Sequence, residues 1–374
     1  MVFCLAVTGL EVLKWVGYFL VALLCLMLMI MLHELGHYTF GKIFKFKINE
    51  FSIGFGPKLF SKINKKSGEV FSIRAVPLGG FCSFAGEDEE GESEGDFNKR
   101  PVWQRIIVLF AGAGFNFLSA FIVITIFFSA YGEYFPVVGN AYQHVEYVDE
   151  GSYSVIEDSQ QLKEGDIILS VNGKNCYSLL EYNRLSSLIG KEGDDVEIVV
   201  IRDGEKQTLN VKKQYYVSYI ESGEAQVSSS KGLGISMGSY SVQKLSFGQA
   251  FTHGAAFGYD VLRVTVNSFK QIFNGSVSVG ESMGGTATAI FSLAQLVQAG
   301  IPAIIYGFCI LSISIGIMNI LPLPALDGSR IVFAIIEGIR RKPLNRRIEG
   351  TIHFVGLIVL FALAIILDLV HFFG

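Results

Sequence analysis

The amino-acid sequence predicts a polytopic α-helical membrane protein, and three observations carry that expectation. The 374 residues are 51% hydrophobic and only 17% charged, which is too apolar for an ordinary soluble chain. Residues 12–40, 102–130, about 301–321 and 351–373 form four apolar runs long enough to cross a bilayer as helices. Lys and Arg gather in the short connections between these runs.

The first connection carries Lys42, Lys45, Lys47, Lys58, Lys62, Lys65, Lys66, Lys99 and Arg100, and the last carries Arg330, Arg340, Arg341, Lys342, Arg346 and Arg347. Positive charge marks the cytoplasmic side. Both connections are therefore expected there, with both termini and the long middle segment outside. The acidic run 87–96 shares the first connection and reads as a solvated loop. The N-terminus has neither the basic start nor the small-residue cleavage site of a signal peptide, so the first span is expected to be retained.

The net charge of -4 and the absence of a basic block argue against a nucleic-acid partner. None of the five cysteines (Cys4, Cys25, Cys82, Cys176, Cys309) forms a CxxC pair, which excludes a disulfide framework and a thiolate zinc site.

His33-Glu34-Leu35-Gly36-His37 ends the first apolar run. Helical spacing puts His33 and His37 one turn apart on one face, where both imidazoles can hold one zinc ion. Glu34 stands beside that face, placed to act as general base on a water that the ion activates. Two histidines and a carboxylate at membrane depth are costly unless paired or bound to metal. The alternative is a helix end whose polar residues are simply wetted by headgroups.

A catalytic zinc site needs a third protein ligand and an open position. The best candidate is Asp327, in the sequence NILPLPALDG at 319–328. Pro322 and Pro324 cannot continue a regular helix, so they break the third span and turn Asp327 aside. Irregular backbone at this depth is tolerated where it lines a wet cavity. Read alone, Asp327-Gly328 is an ordinary turn pair. Its match in depth to HELGH argues for the ligand.

RAVPLGGFCSF, residues 74–84, is apolar, too short to cross, and bent by Pro77 and Gly79-Gly80. It reads as a re-entrant β-hairpin dipping towards the site. Its edge would pair with an extended substrate backbone, since a helical peptide hides its carbonyls in its own bonds. The equal alternative is a hairpin that only seals the site. Asn116 and Asn319 read either as substrate-binding amides near the metal or as helix-packing contacts.

The middle segment, about 132–234, is expected to be a soluble β-rich domain. Residues 164–173, EGDIILSVNG, alternate like a strand and close on an Asn-Gly turn. A helix is expected over 179–189. Strands over 195–202 and 207–213 flank Asp203-Gly204 as a second hairpin. The strings GDIILSVNG and VEIVVIRDG resemble those of PDZ domains, which bind extended peptides by strand addition. A spacer or steric lid is the plainer reading. Residues 247–273 read as an amphipathic helix at the outer surface or as a packing helix of the soluble domain.

FSIGFGPKLF (51–60), AVPLGGF (75–81), FNKRPVWQRIIVLFAG (97–112) and NILPLPALDG surround HELGH in an order that resembles the bacterial site-2 protease family, in its branch of RseP-type regulators of sigma-E proteolysis. The resemblance implies an intramembrane zinc metalloprotease with one Zn2+ per chain. It implies His33, His37 and Asp327 as ligands and Glu34 as catalytic base. Implied substrates are single-span membrane proteins of the anti-sigma-factor type and signal-peptide remnants. The implied setting is the bacterial inner membrane, with the site near the cytoplasmic face and the PDZ-like domain acting as a size filter.

Three departures stand out. The family's AGP before the second-span Asn is AGAGF here, at 111–115, its LDGGH is LDGSR, and there is room for one PDZ-like domain rather than two. The expected organisation is a membrane region over 1–131, a PDZ-like domain over 132–234, and an amphipathic helix with a second membrane region over 235–374. Two other function classes compete: an inert membrane scaffold and a broken-helix transporter, against which the lack of internal repeats argues.

Overall fold

The computed structural model describes residues 9–87, 93–149, 152–157, 161–176, 195–219, 225–275 and 284–373. The helix expected over 179–189 lies outside the described residues. The chain divides into two units, Met1–Ile124 with Gly254–Gly374, and Thr125–His253.

Among the described residues, four helices are long and apolar enough to cross a membrane: α1 (Gly9–Ile43), α2 (Val102–Ala130), and, following α3 (Phe247–Phe273) and α4 (Thr286–Ala299), α5 (Ile301–Ile320) and, following α6 (Asp327–Arg340), α7 (Arg346–Phe373). A helix satisfies all its backbone groups internally, which hydrocarbon demands. Small and polar residues share the buried positions of these helices with apolar ones such as Leu26, Met29, Phe308 and Ile313. On α1, Leu13 and Leu24 are exposed while Ala22, His33, Gly36, His37 and Gly41 are buried. On α5, Gly307, Cys309, Ser312 and Gly316 are buried. Small and polar residues thus face inward, where they let helices approach closely and bond.

α4 was not foreseen in the sequence. Fourteen residues are too few to cross, yet it is apolar and ordered. The Asp368 carboxylate on α7 accepts the Ala287 and Thr288 N–H groups at 3.0 and 2.9 Å and the Thr288 hydroxyl at 2.7 Å. A carboxylate at a helix N-terminus satisfies donors that the helix leaves open.

Between α1 and α2 lies the antiparallel pair β1 (Ile48–Ile63) and β2 (Val70–Phe84). The chain reverses at 64–69, and it bends back again between 73 and 80, the stretch that holds Pro77 and Gly79-Gly80, because 70–73 and 80–83 run in opposite directions along 50–53. Residues 50–53 are matched on both sides, by 80–83 and by 70–73. Glu50 ties the passes together. Burial opposes its ionisation, but bonds from Ser72, Arg74 and Lys58 outweigh that and hold its carboxyl down at about 2.

The second unit is built of sheets, one of β11 (Ala225–Val227), β10 (Tyr215–Tyr219), β4 (His144–Asp149) and β5 (Ser152–Val155), in that order, and one of order β12-β3-β6-β8-β9 with the short β7 (Lys174–Asn175) beside β6. Its strands include β3 (Glu133–Ala141), β6 (Ile167–Val171), β8 (Asp195–Arg202), β9 (Glu205–Lys212) and β12 (Ile235–Gln243). Both expected hairpins form. Asn172-Gly173 and Asp203-Gly204 all have positive φ, as tight two-residue turns require. Ile168, Val171, Ile198, Val200 and Val211 form its dry core. β12 pairs with β3 although it follows residue 234, where the sequence reading ended this domain.

Candidate metal centre

The site begins with α1. His33 and His37 are both buried, with ring centroids 4.8 Å apart. The His37 Nδ1–H donates to the Val108 carbonyl of α2 at 2.8 Å. A carbonyl can only accept, so Nδ1 carries the hydrogen and Nε2 presents a lone pair to the site.

α2 comes this close because two glycines allow it. A Cβ on Gly36 would lie 2.2 Å from the Ala111 carbonyl oxygen. One on Gly112 would lie 2.5 Å from His37 Nε2 and 2.7 Å from His33 Cε1. Gly112 therefore keeps open the space in front of both imidazoles.

Asp327 arrives from 294 residues away in sequence. After α5 the backbone turns extended at Leu321, and Ala325 takes a φ of +74°, which an L residue rarely adopts. The loop is pinned from α7, where His353 Nδ1 lies 3.2 Å from the Ala325 N–H. Gly328 sits where a Cβ would be 2.2 Å from the Ile320 and Leu321 carbonyls, so the turn closes tightly and starts α6 at Asp327.

Among the described residues, His33, His37 and Asp327 form the one group of potential ligands, with donor atoms all within 4.8 Å of one another. His33 Nε2, His37 Nε2 and Asp327 Oδ2 form a triangle with sides of 3.0, 3.1 and 3.2 Å. A tetrahedral ion with ligand bonds of about 2.0–2.1 Å needs donors about 3.3 Å apart. Two imidazoles and a carboxylate at that spacing fit zinc.

Asn116 on α2 is fully buried, with Nδ2 3.5 Å from His33 Nδ1 and its Oδ1 left without a partner. Exchanging the two amide atoms, which look alike in shape, would let Oδ1 accept from a His33 Nδ1–H. That is the tautomer His33 needs if Nε2 binds a metal, and it satisfies the orphaned oxygen.

Glu34 lies on the neighbouring face. The Cys82 N–H of β2 donates to its Oε2 at 2.9 Å, and a Cβ on Gly80 would be 3.6 Å from its Cγ. β2 therefore runs directly against Glu34. Burial, then the Glu34 and Glu87 carboxylates, push the Cys82 thiol up. Gly79 has φ +135° and faces the Phe55 ring, which a Cβ would meet at 2.2 Å. Pro77 lies in the same strand. Asn319 is drawn away: its amide donates to the Ile315 carbonyl of its own helix at 3.0 Å.

Sequence reasoning passed over Val108, Gly112 and the Cys82 N–H. The run of small residues at 111–114 was a visible sign of close helix approach. A backbone carbonyl or amide leaves no mark in side-chain identity.

A triad of zinc-type donors, two on a membrane-length helix and one at the start of α6, is the metal site of a membrane metallopeptidase. The chain belongs to peptidase family M50, which it matches over residues 21–363, and it is a metalloprotease of the site-2 type. A Fusobacterium nucleatum protein provisionally named a zinc metalloprotease is 34% identical over 343 residues, covering 91% of this chain and 94% of that protein. Zinc metalloprotease RasP of Geobacillus kaustophilus is 26% identical, covering 92% and 96%. Regulator of sigma-W protease RasP of Bacillus subtilis is 25% identical, covering 90% and 94%.

Proposed function

We propose that this chain is an intramembrane zinc protease that hydrolyses peptide bonds in or near single transmembrane segments. His33, His37 and Asp327 hold one Zn2+ per chain, and Glu34 is the general base. The observation that carries this reading is the meeting of Asp327 with the two histidines at one end of α1.

When bound, the zinc supplies Lewis-acid polarisation and lowers the pKa of water. The chain's own residues do the rest. Glu34 takes the proton of the attacking water and returns it to the leaving amine. The Cys82 N–H fixes one oxygen of that carboxylate, which leaves the other to handle the proton. The Val108 carbonyl and Asn116 hold the imidazoles in the ligating tautomer.

The β1–β2 pair acts as a re-entrant hairpin. Its outer edge, the 80–84 segment beside Glu34, adds the unwound substrate as a further strand. Pro77, Gly79 and Gly80 shape that edge, while Asn116 serves the histidine and Asn319 remains available to substrate only if it leaves Ile315. The second unit is PDZ-like and filters bulky substrates, an assignment supported by its two tight hairpins. The natural substrates are of the anti-sigma-factor type, in line with the sigma-W name of one relative. The setting is a bacterial inner membrane, with the site towards the cytoplasm.

The test is cleavage of a purified single-span substrate in detergent. Cutting should stop on chelation, return with zinc, and be absent in Glu34→Gln. Activity that survives both treatments would overturn the assignment.

A further inference from the structure

A second polar cavity, of about 660 Å³, lies where α2 begins and where the α6–α7 turn passes. Six cationic residues line it: Lys99, Arg100, Arg105, Arg341, Lys342 and Arg346. A single carboxylate, Glu337, opposes them. Glu337 is already spent. Its Oε2 accepts from Arg105 at 2.5 Å, and its Oε1 accepts from Arg346 at 2.5 Å and from the Leu344 N–H at 2.8 Å. Arg346 also bonds Glu349 at 2.7 Å.

The remaining positive charge is unbalanced. Lys99, Arg341 and Lys342 are exposed, and none makes an ion pair among the described residues. Arg105 is 4% exposed, yet its Nε has no partner, and the Arg100 Nε is likewise buried and unpartnered. Two buried guanidinium donors left open beside three free cations call for an acceptor-rich anion. A phosphate group offers that chemistry. Guanidinium groups suit it, since they give paired donors in a fixed plane.

The position selects the source. Both α2 and α7 start at this cavity and run from it as membrane-length helices, so their positive N-terminal dipole ends meet there. Trp103, in the first turn of α2, is exposed, as aromatic residues are at the level of lipid headgroups. Basic pockets between spans at that level bind anionic headgroups.

We propose that this cavity is a binding site for the phosphodiester headgroup of an anionic phospholipid. The headgroup lies across the Arg105–Glu337–Arg346 bridge and joins α2 to the α6–α7 turn. α6 carries Asp327 at its other end and α2 carries Gly112, so an occupied site also braces two walls of the metal centre.

The experiment measures the thermal midpoint of the full-length protein in non-ionic detergent during titration. Dihexanoyl phosphatidylglycerol is compared with dihexanoyl phosphatidylcholine and with inorganic phosphate. Phosphatidylglycerol is expected to give a saturable rise that neither of the others matches. Arg341→Gln with Lys342→Gln removes two free charges, and the half-saturating concentration should rise about 30-fold, at roughly a factor of five per lost charge. Zinc content and the lipid-free midpoint should be unchanged in that variant. The control Lys62→Gln with Lys65→Gln, exposed residues at the end of β1 and in the turn after it, should titrate as the wild type. An equal rise with phosphatidylcholine would overturn the charge basis. An equal rise with inorganic phosphate would overturn the lipid source. An unchanged titration in the first variant, or an equal loss in the control, would overturn the site.

Discussion

The two units of this molecule differ in what they bury beside their apolar cores. Between 125 and 253, apolar residues such as Ile168, Ile198 and Val200 are inside and fully dry. In the other unit many leucines and phenylalanines of α1 and α7, such as Leu13, Leu24, Phe354 and Phe361, are exposed, and His33, His37, Asn116 and Ser312 are inside. In water the hydrophobic effect packs a core; in lipid that drive between helices vanishes, and close approach and polar bonds take its place. An interior that also admits small and polar residues can therefore host chemistry that the β unit's dry core cannot.

The largest effects should come from the polar interior. His33→Ala and His37→Ala are each expected to lose bound zinc and all cleavage, as two remaining ligands make a poor catalytic site. Metal analysis beside an activity assay checks this, and tight zinc in either variant would mean that the donor set is wrong.

Glu34→Gln should keep its zinc while cleavage falls by about 10²- to 10⁴-fold, the usual range for a general base. Zinc loss in this variant would make Glu34 structural instead.

Gly112→Val tests whether close approach holds the site together. The added Cβ meets His37 Nε2 at 2.5 Å, so the imidazoles must shift. Zinc affinity and cleavage should both drop, with the helical circular dichroism retained. Normal zinc binding would show that the helix approach has slack.

Asn116→Ala is expected to weaken zinc by about 10- to 100-fold, the usual cost of losing a group that orients a ligand. Competition against a metal-binding dye reads it directly. An unchanged affinity with a raised KM would return Asn116 to substrate binding.

The smallest effect on the site should come from the apolar interior. Ile198→Ala opens a cavity in the β unit and should cost it about 2–5 kcal/mol. Limited proteolysis should show the loss, with zinc content unchanged and trimmed substrates still cut. Loss of zinc there would end the view that the two interiors are independent.

Much of the molecule was open to reading because its signals are local. A membrane span is an unbroken apolar run, so all four runs recur as helices, with α7 beginning five residues earlier than expected, at Arg346. The HELGH pairing needs only one helical turn. The Asn-Gly and Asp-Gly turns carry their own backbone preference. Pro77 and Gly79-Gly80 are local turn signals, and the chain does bend back between 73 and 80, whereas the reversal at 64–69 that joins β1 to β2 carries no such strong pair. α4 stayed hidden because its stabilising cap, Asp368, is 80 residues away.

The sequence by itself determined the spans, the histidine pair and the hairpin turns, since each rests on residues within a few positions of one another. The sequence singled out Asp327 and the fold brought it to the histidines, but tertiary structure alone decided which carbonyl orients His37, which strand meets Glu34 and which cations share a cavity. Those contacts join residues dozens to hundreds of positions apart. Backbone groups make many of them, and a backbone group is the same in every residue.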